Sequence, residues 1–469
     1  MGNRRAAGAT AVIPLSEARA VVMDACRQLA PRTVALDDAL GCVLATPVAA
    51  AVDVPPFANA AMDGYAVRAG DVAGAPVTLR VVGRVLAGAT LGVAVGPGEA
   101  ARIMTGAPMP EGADAVCMVE RTRAADGPGR AGTHGDERAE RGAGAWDEQA
   151  VVIEAPVHVG ENVRSAGSDV GAGDLVLGAG ASIGPTQLAA LVSAGVEAVA
   201  VVPRPRVGVI STGDELVDPG LPLGPAQIYD SNRPMLVALV DEAGCTSVDL
   251  GRSQDDEDAL ARRIEDALGT LDALVLSGGV SVGDVDVVRM VLERLGAGTT
   301  RWMQIAIRPA KPFSFTVLRG PGGPVPTFGL PGNPVSSAVS FELLVRPALR
   351  AMAAQRVIER PRCTARAEEP MPRRRDGRTY FVRVQLAPAG ATVGAPGGAP
   401  AGAAGGAGGE PRWVARPCPG QGSHQIRSMG LADGLAVLAD GEGVDAGELV
   451  EVIVTNPAIG AAFAGAPSS

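Results

Sequence analysis

Between residues 203 and 353 the chain repeats one pattern: a short apolar run, a loop of small residues, then a segment with helical spacing. "VGVIS" (207–211) comes before "SNRPMLVALVDEAG", and "SVDLG" before a charged helix around 255–268. "ALVLS" (273–277) comes before "GGVSVGD" and a helix to about 295, and "VPTFGL" before "PGNPVSS" and a long helix to about 353. A strand covered on both faces reads as an unbroken apolar run, so this rhythm calls for a parallel, doubly wound sheet.

In such a sheet the loops that leave the strand C-termini gather at one edge, and ligands bind there. The loops here are "TGDEL" (212–216), "SGGVSVGD" (277–284) and "LPGNPVSS" (330–337). The last has two readings. Asn333 caps a helix whose first turn holds Pro334, and nothing binds. Alternatively, the corner Pro331-Gly332-Asn333-Pro334 offers an anion the unpaired N–H groups of a helix N-terminus. Ser277, Gly278, Gly279, Ser281 and Gly283 add small residues and further N–H groups, and three such loops in one sheet favour binding.

The same loops carry Asp214, Glu215, Asp284 and Asp286. Carboxylates repel a phosphate unless a hard divalent cation or a proton lies between, a need that Mg²⁺ meets. Asp284, at a helix start, also reads as a cap. "IRPAKPFSF" (307–315) sets Arg308 and Lys311 on a stiff, proline-rich segment, which suits a second anionic group.

Outside this region, "SEARAVVMDACRQL" (16–29) is an amphipathic helix with Ser16 as its cap. Short Val-rich runs from about 40 to 180, broken by Gly and Pro, indicate β structure. Asp63, Thr105 and Asp169 each sit on a Gly turn there, and periodicity gives them no role beyond turn capping. Residues 123–147 read as a mobile polar insertion, with His134 solvated rather than a ligand. After residue 360, "TYFVRVQL", "RWVARP", "GLAVLAD" and "ELVEVIV" indicate a small β domain. The Ala/Gly-rich stretch 387–409 interrupts it and cannot pack a core.

The bulk numbers fit several domains in 469 residues with a net charge of −10. The only basic run is Arg373–Arg375, which argues against a nucleic-acid surface. Six scattered cysteines without CxxC spacing point to reduced thiols rather than disulfides or zinc. No stretch has the length of a membrane span or secretory core, so a cytoplasmic location is expected.

Taken in order, the segments at 55–67, 102–120, 160–170, 208–216, 227–234 ("QIYDSNRP"), 277–286, 307–312, 329–336 and 421–424 ("QGSH") resemble those of the molybdopterin molybdenumtransferase (MoeA and gephyrin E-domain) family. The resemblance implies insertion of molybdate into adenylyl-molybdopterin with release of AMP, Mg²⁺ dependence, and a homodimer with a shared active site. It leaves room for other enzymes of molybdenum cofactor biosynthesis as partners. It also implies an α/β multidomain fold, with a doubly wound molybdopterin-binding domain at 201–354 and a C-terminal β-barrel at 355–460. An N-terminal linker/β domain would take 12–55 and 156–200, its first helix packing on the α/β domain, with a β-rich insert at 56–155.

By motif position, Asp63, Thr105, Asp169, Glu215 and Asp286 match catalytic residues. Glu215, Asp286 and Asp255 or Asp256 match the metal-handling acids, with Asp256 preferred. Asp214, the glycine loops, Lys311, Pro331, Pro334, Arg383 and Ser423 match ligand-binding positions. Departures are Ala58-Asn59-Ala60 for Asp-Asn-Ser, Ser168 for Glu, and "RPAKP" for "KPGKP". The last puts Arg308 for Lys and Ala310 for Gly, and Arg grips phosphate as a planar fork where Lys is a point charge. A molybdopterin adenylyltransferase and a non-catalytic scaffold on the same fold are the alternatives.

Overall fold

The computed structural model describes residues 11–89, 92, 94–125, 149–279, 287–389 and 412–460. Ser281, Gly283, Asp284, Asp286 and His134 lie outside them, as do residues 390–409 of the Ala/Gly stretch. Among the described residues no helix is long and apolar enough to cross a membrane, and all six cysteines are free.

Chain packing divides the protein into two units, residues 33–40 with 44–200, and the remainder. In the second unit seven strands form one sheet: β1 (Val12–Ile13), β2 (Arg206–Thr212), β3 (Thr246–Ser253), β4 (Ala273–Ser277), β5 (Arg301–Ile305), β6 (Pro312–Gly320) and β7 (Gly323–Leu330). Their order across the sheet is β1-β5-β6-β7-β4-β2-β3. Strand β6 is antiparallel to both neighbours, while the other adjacent pairs are parallel.

Helices α1 (Leu15–Ala25), α2 (Asn232–Glu242), α3 (Glu257–Ala267), α4 (Val287–Leu295) and α5 (Pro334–Ser340) cover the sheet. Side chains alternate along β4: Ala273 and Val275 join a core with Leu236, Val240 and Val339, whereas Leu274 and Leu276 join one with Leu260, Ile264 and Val291. Each face of the sheet thus has its own helical cover, which is why its strands read as continuous apolar runs.

Two helix starts differ from the sequence reading. Pro14, not Ser16, holds the cap position of α1, and Ser16 falls inside the first turn. That helix also stops at Ala25, and Leu29 instead hydrogen-bonds through its N–H to the Met352 carbonyl at 2.9 Å. Beyond α5 the helix continues as a π-turn over Phe341–Val345 and then α6 (Arg346–Met352).

Five strands close the C-terminal barrel: β8 (Arg362–Ala367), β9 (Thr379–Pro388), β10 (Trp413–Pro417), β11 (Gly434–Leu438) and β12 (Leu449–Val454). Each pairs with two others, β9 bonding to both β10 and β11. Ala387 and Pro388, the first residues of the expected loop, instead belong to β9 and pair with Val414 and Trp413. The two-residue strand Ile307–Arg308 adds to the barrel beside Thr379–Tyr380.

The other unit is built on a six-stranded sheet that contains Gly64–Val67, Val77–Val85, Glu99–Ile103 and Ala115–Met118. Its strands also alternate: Tyr65, Val67 and Cys117 enter one core, Ala66, Ala101 and Val116 another. Both faces are buried.

After Arg308 the chain bends through Ala310, which is 3% exposed and has φ +77°. An L-residue with a Cβ is strained in that left-handed region, and glycine is not. Ala310→Gly is expected to stabilise the second unit by about 1 kcal/mol, read as a higher denaturation midpoint in urea.

Candidate functional site

The ends of β2, β4 and β7 are level because their register makes them so: Ser211 pairs with Ser277, and Ser277 with Leu330. From β2 the chain goes outward to β3 and then returns to β4 on the other side, so the crevice between β2 and β4 is a topological switch point. Three loops open there together.

Their contacts are close. Gly278 donates its N–H to the Leu330 carbonyl at 3.1 Å. Its φ is +101°, and a Cβ on it would lie 2.6 Å from the Thr212 carbonyl oxygen. A Cβ on Gly332 would come within 3.8 Å of the Gly278 Cα, so the "SGG" and "PGN" loops touch. Asn232, first residue of α2, joins them: its Nδ2 donates to Ser277 Oγ at 2.8 Å and to the Gly332 carbonyl at 2.7 Å.

Neither simple reading of the "LPGNPVSS" corner survives intact. Asn333 occupies the cap position of α5, but its side chain makes no capping bond. Pro334 has no N–H, and Val335 donates its own to the Ser423 carbonyl at 3.1 Å. Gly332 and Asn333 keep N–H groups without an acceptor among the described residues. Among the described residues the corner's open donors are thus those of Gly332 and Asn333 and, within the helix's first turn, that of Ser336.

Ser423 reaches the corner from a loop that Arg383 holds. Arg383 is 1% exposed. It donates through Nη2 to the Gly420 and Gly422 carbonyls at 3.1 and 3.2 Å and through Nε to Ser428 Oγ at 3.2 Å. Burial pushes its guanidinium down to about 10, against a smaller opposing effect of Cys418. It stays charged at neutral pH.

Arg308 stacks its guanidinium over the Tyr380 ring, 5.2 Å from the centroid, and donates to the Tyr380 hydroxyl at 3.2 Å. Arg308, Pro309, Tyr380, Arg383 and Gln421 help to line a cavity of about 520 Å³. Lys311 holds β5 through its carbonyl, which accepts from the Ile305 N–H at 2.7 Å. Its ammonium has no acidic partner among the described residues.

The acids of the first loop gather with one from the next. The Glu215 carboxylate folds over Gly213, where an added Cβ would lie 2.5 Å from Oε2. Asp214 Oδ1 accepts the Asp255 N–H at 3.1 Å. Partial burial, then the nearby Asp214 carboxylate, then Glu215 raise the Asp255 carboxyl above its ordinary value, against a hydrogen bond that this carboxyl accepts from the Asp214 backbone. Asp256, the acid expected to handle metal, is instead the N-cap of α3: its Oδ1 accepts the Ala259 N–H at 2.9 Å. Two adjacent aspartates look alike in sequence, and the helix start decides which is free. Asp255 is the one that faces the acidic loop.

In the other unit Asp63 Oδ1 accepts both the N–H and the hydroxyl of Thr105, at 2.7 and 2.9 Å. These bonds, the backbone one foremost, hold its carboxyl below the ordinary value. Asp169 is exposed, and its N–H donates to the Val54 carbonyl at 2.9 Å.

Sequence reasoning assigned no role to Asp230, Asn232 or Arg233. Asp230 is 1% exposed and accepts from Ser211 Oγ at 2.5 Å and from Arg233 Nε at 3.1 Å. Arg233 also bonds Asp218 and Asp249, each at 2.5 Å. Burial opposes its charge, and the three carboxylates outweigh that and raise it. "DSNR" was legible as a helix start and as part of the family-like segment 227–234, without a role for any one residue; an Asn at the first helical position, a poor helix former there, was the available signal.

A switch-point crevice walled by glycine loops is where an open α/β sheet takes its ligand, and residues 208–351 match the family model described as "Probable molybdopterin binding domain". Residues 13–195 match "MoeA N-terminal region (domain I and II)", and 407–455 match "MoeA C-terminal region (domain IV)". The chain is 37% identical over 326 residues to the molybdopterin molybdenumtransferase of Haemophilus influenzae, covering 70% of this chain and 74% of that one. It is 39% identical over 344 residues to molybdopterin molybdenumtransferase 2 of Mycobacterium tuberculosis, covering 72% and 78%. The crystal structure of the molybdopterin biosynthesis MoeA protein from Pyrococcus horikosii aligns with a TM-score of 0.66 at 33% identity, covering 95% of this chain and 99% of that one. The chain belongs to the MoeA family.

The crowded acids generate a pH signature. Because the folded-state pKa of Asp255 is raised, its ionised form costs the folded protein stability at neutral pH, and that cost vanishes as pH falls through the raised value. Asp255→Asn is therefore expected to stabilise the protein at pH 7, by about 0.5 kcal/mol or less after solvent screening. The gain should shrink as the wild-type carboxyl protonates, which urea denaturation at a series of pH values would measure.

Proposed function

We propose that the protein is a molybdopterin molybdenumtransferase, which takes adenylyl-molybdopterin and molybdate and releases AMP in forming molybdenum cofactor. The observation that carries this reading is the level edge of β2, β4 and β7, where the glycine loops lie in contact beside an acidic cluster. Open N–H groups at Gly332 and Asn333 suit phosphate oxygens. Arg308 and Lys311 offer positive charge on a stiff segment, and Arg383 a buried cation close to the Gln421-Gly422-Ser423 loop. The family match beyond the α/β domain on both sides favours this reading over an adenylyltransferase.

Mg²⁺ fits the donor set. Asp214, Glu215 and Asp255 are hard oxygen donors; burial foremost, then the Asp214 and Glu215 charges, raise the Asp255 carboxyl, and a divalent cation relieves the part due to repulsion. Among the described residues no three such groups converge as a ready-made metal cage; Mg²⁺ calls for only one or two carboxylates plus phosphate oxygens. When bound, the ion would neutralise phosphate charge as AMP departs. To Glu215, folded over Gly213, the proposal assigns the taking or giving of a proton on molybdate as oxo groups are lost.

Asp286, Ser281 and Gly283 belong to the same proposal by motif position. The working form is a cytoplasmic homodimer in which Asp63, Thr105 and Asp169 of one subunit complete the site of its partner.

Glu215→Gln keeps shape and hydrogen-bonding capacity and removes the charge. AMP release from adenylyl-molybdopterin with molybdate and Mg²⁺ is expected to fall at least 100-fold, about 2.7 kcal/mol of transition-state stabilisation. Folding should be unchanged. Wild-type turnover in this variant across a Mg²⁺ titration would remove Glu215 from the mechanism.

Sharing of the site is testable separately. Mixed dimers of Asp63→Ala and Glu215→Ala subunits retain one intact composite site and should recover AMP release, up to about half the wild-type rate per mixed dimer. Verified heterodimers that stay inactive would refute the shared site.

A further inference from the structure

Asn232 is the side chain that bonds both glycine loops, and it does so from a buried position, 9% exposed. Its amide orientation is fixed by chemistry. The Gly332 carbonyl can only accept, so Nδ2 must face it, and the second Nδ2 proton goes to Ser277 Oγ. Ser277, 2% exposed at the end of β4, therefore accepts from Asn232. Its own hydroxyl proton has no acceptor among the described residues. A further observation sets Asn232 apart from ordinary core polarity: its Oδ1 is buried without a partner among the described residues. An orphaned acceptor of this kind is unfavourable, and the two bonds from Nδ2 hold the amide in place in spite of it.

We propose that Asn232 is a positioning residue that clasps the two loops and turns the Ser277 hydroxyl into a donor for an oxyanion oxygen of the substrate. The clasp acts in two ways. It sets the spacing between Gly278 and Gly332, hence between the N–H groups each loop presents. It also covers the negative end of the Gly332 carbonyl, which would otherwise face an incoming anion. With the amide holding the Ser277 oxygen, rotation of the hydroxyl is biased so that its proton points away from α2. Asn232 touches no reacting atom in this scheme; its effect passes through Ser277 and Gly332. The assignment rests on the molybdenumtransferase reading for the identity of the oxyanion, but the clasp itself does not.

The test uses full-length protein with Asn232→Ala, the isosteric Asn232→Asp, Ser277→Ala and the Asn232→Ala/Ser277→Ala double variant. Amide hydrogen exchange without ligand reads the clasp, and steady-state AMP release from adenylyl-molybdopterin reads its use. In both Asn232 variants, peptides covering 275–279 and 330–334 should exchange at least tenfold faster, while those of β2 and α3 stay at wild-type rates. KM for adenylyl-molybdopterin should rise at least tenfold with kcat within about threefold. Ser277→Ala should cost less in the Asn232→Ala background than in wild type, because the hydroxyl has already lost its orientation. Asn232→Asp keeps the packing volume and removes the donors, so it separates lost bonds from a cavity if the alanine variant folds poorly. Unchanged exchange in both loops, or an unchanged KM, would overturn the proposal. If wild type releases no AMP, the functional reading fails, and loop exchange alone then decides for or against the clasp.

Discussion

The parallel hydrogen-bond register of β2, β4 and β7 sets the level of every loop at the proposed site. That register is itself fixed by the core. A slip of one residue along β4 would turn Leu274 and Leu276 toward the cover built for Ala273 and Val275, and the reverse, exchanging large and small side chains on both faces. The site thus takes its geometry from hydrophobic packing several residues below it. Gly278 is the visible joint: only a residue without Cβ lets β4 leave the sheet so close to the Thr212 carbonyl.

Charge is divided between layers. The acids Asp214, Glu215 and Asp255 stand on loops of the α/β sheet, where solvent reaches them. The guanidinium of Arg383 is carried by barrel strand β9 and fixed by carbonyls and a hydroxyl, with no carboxylate among its hydrogen-bond partners in the described residues. Arg308 leans on the Tyr380 ring of the same strand. Cations held in this way lose little further freedom when an anion arrives, the condition for strong electrostatic stabilisation.

Local patterns were legible in the sequence; long-range contacts were not. The α/β rhythm could be read because strands buried on both faces leave unbroken apolar runs. "LPGNPVSS" could be read as a corner because Pro331 and Pro334 restrict the backbone locally and Gly332 permits a turn. The contact from Ser423 to Val335, which closes the first turn of α5, joins two distant segments and leaves no trace in either. Asn232 is the same case, with partners 45 and 100 positions away. Strand β8 escaped notice because "RCTARA" buries only its two alanines, too little apolar surface to register as a strand. The reversed direction of β6 was equally silent, since an apolar run does not say which way it points.

The strand Ile307–Arg308 lies in sequence between two strands of the sheet, yet its hydrogen bonds go to the barrel. The α/β region and the barrel are therefore not separable modules in the sense of recombination or gene fusion. Cutting the chain after α6 would leave that strand with an unpaired edge and strip Tyr380 from beneath Arg308. A barrel exchanged for another would have to supply both at once.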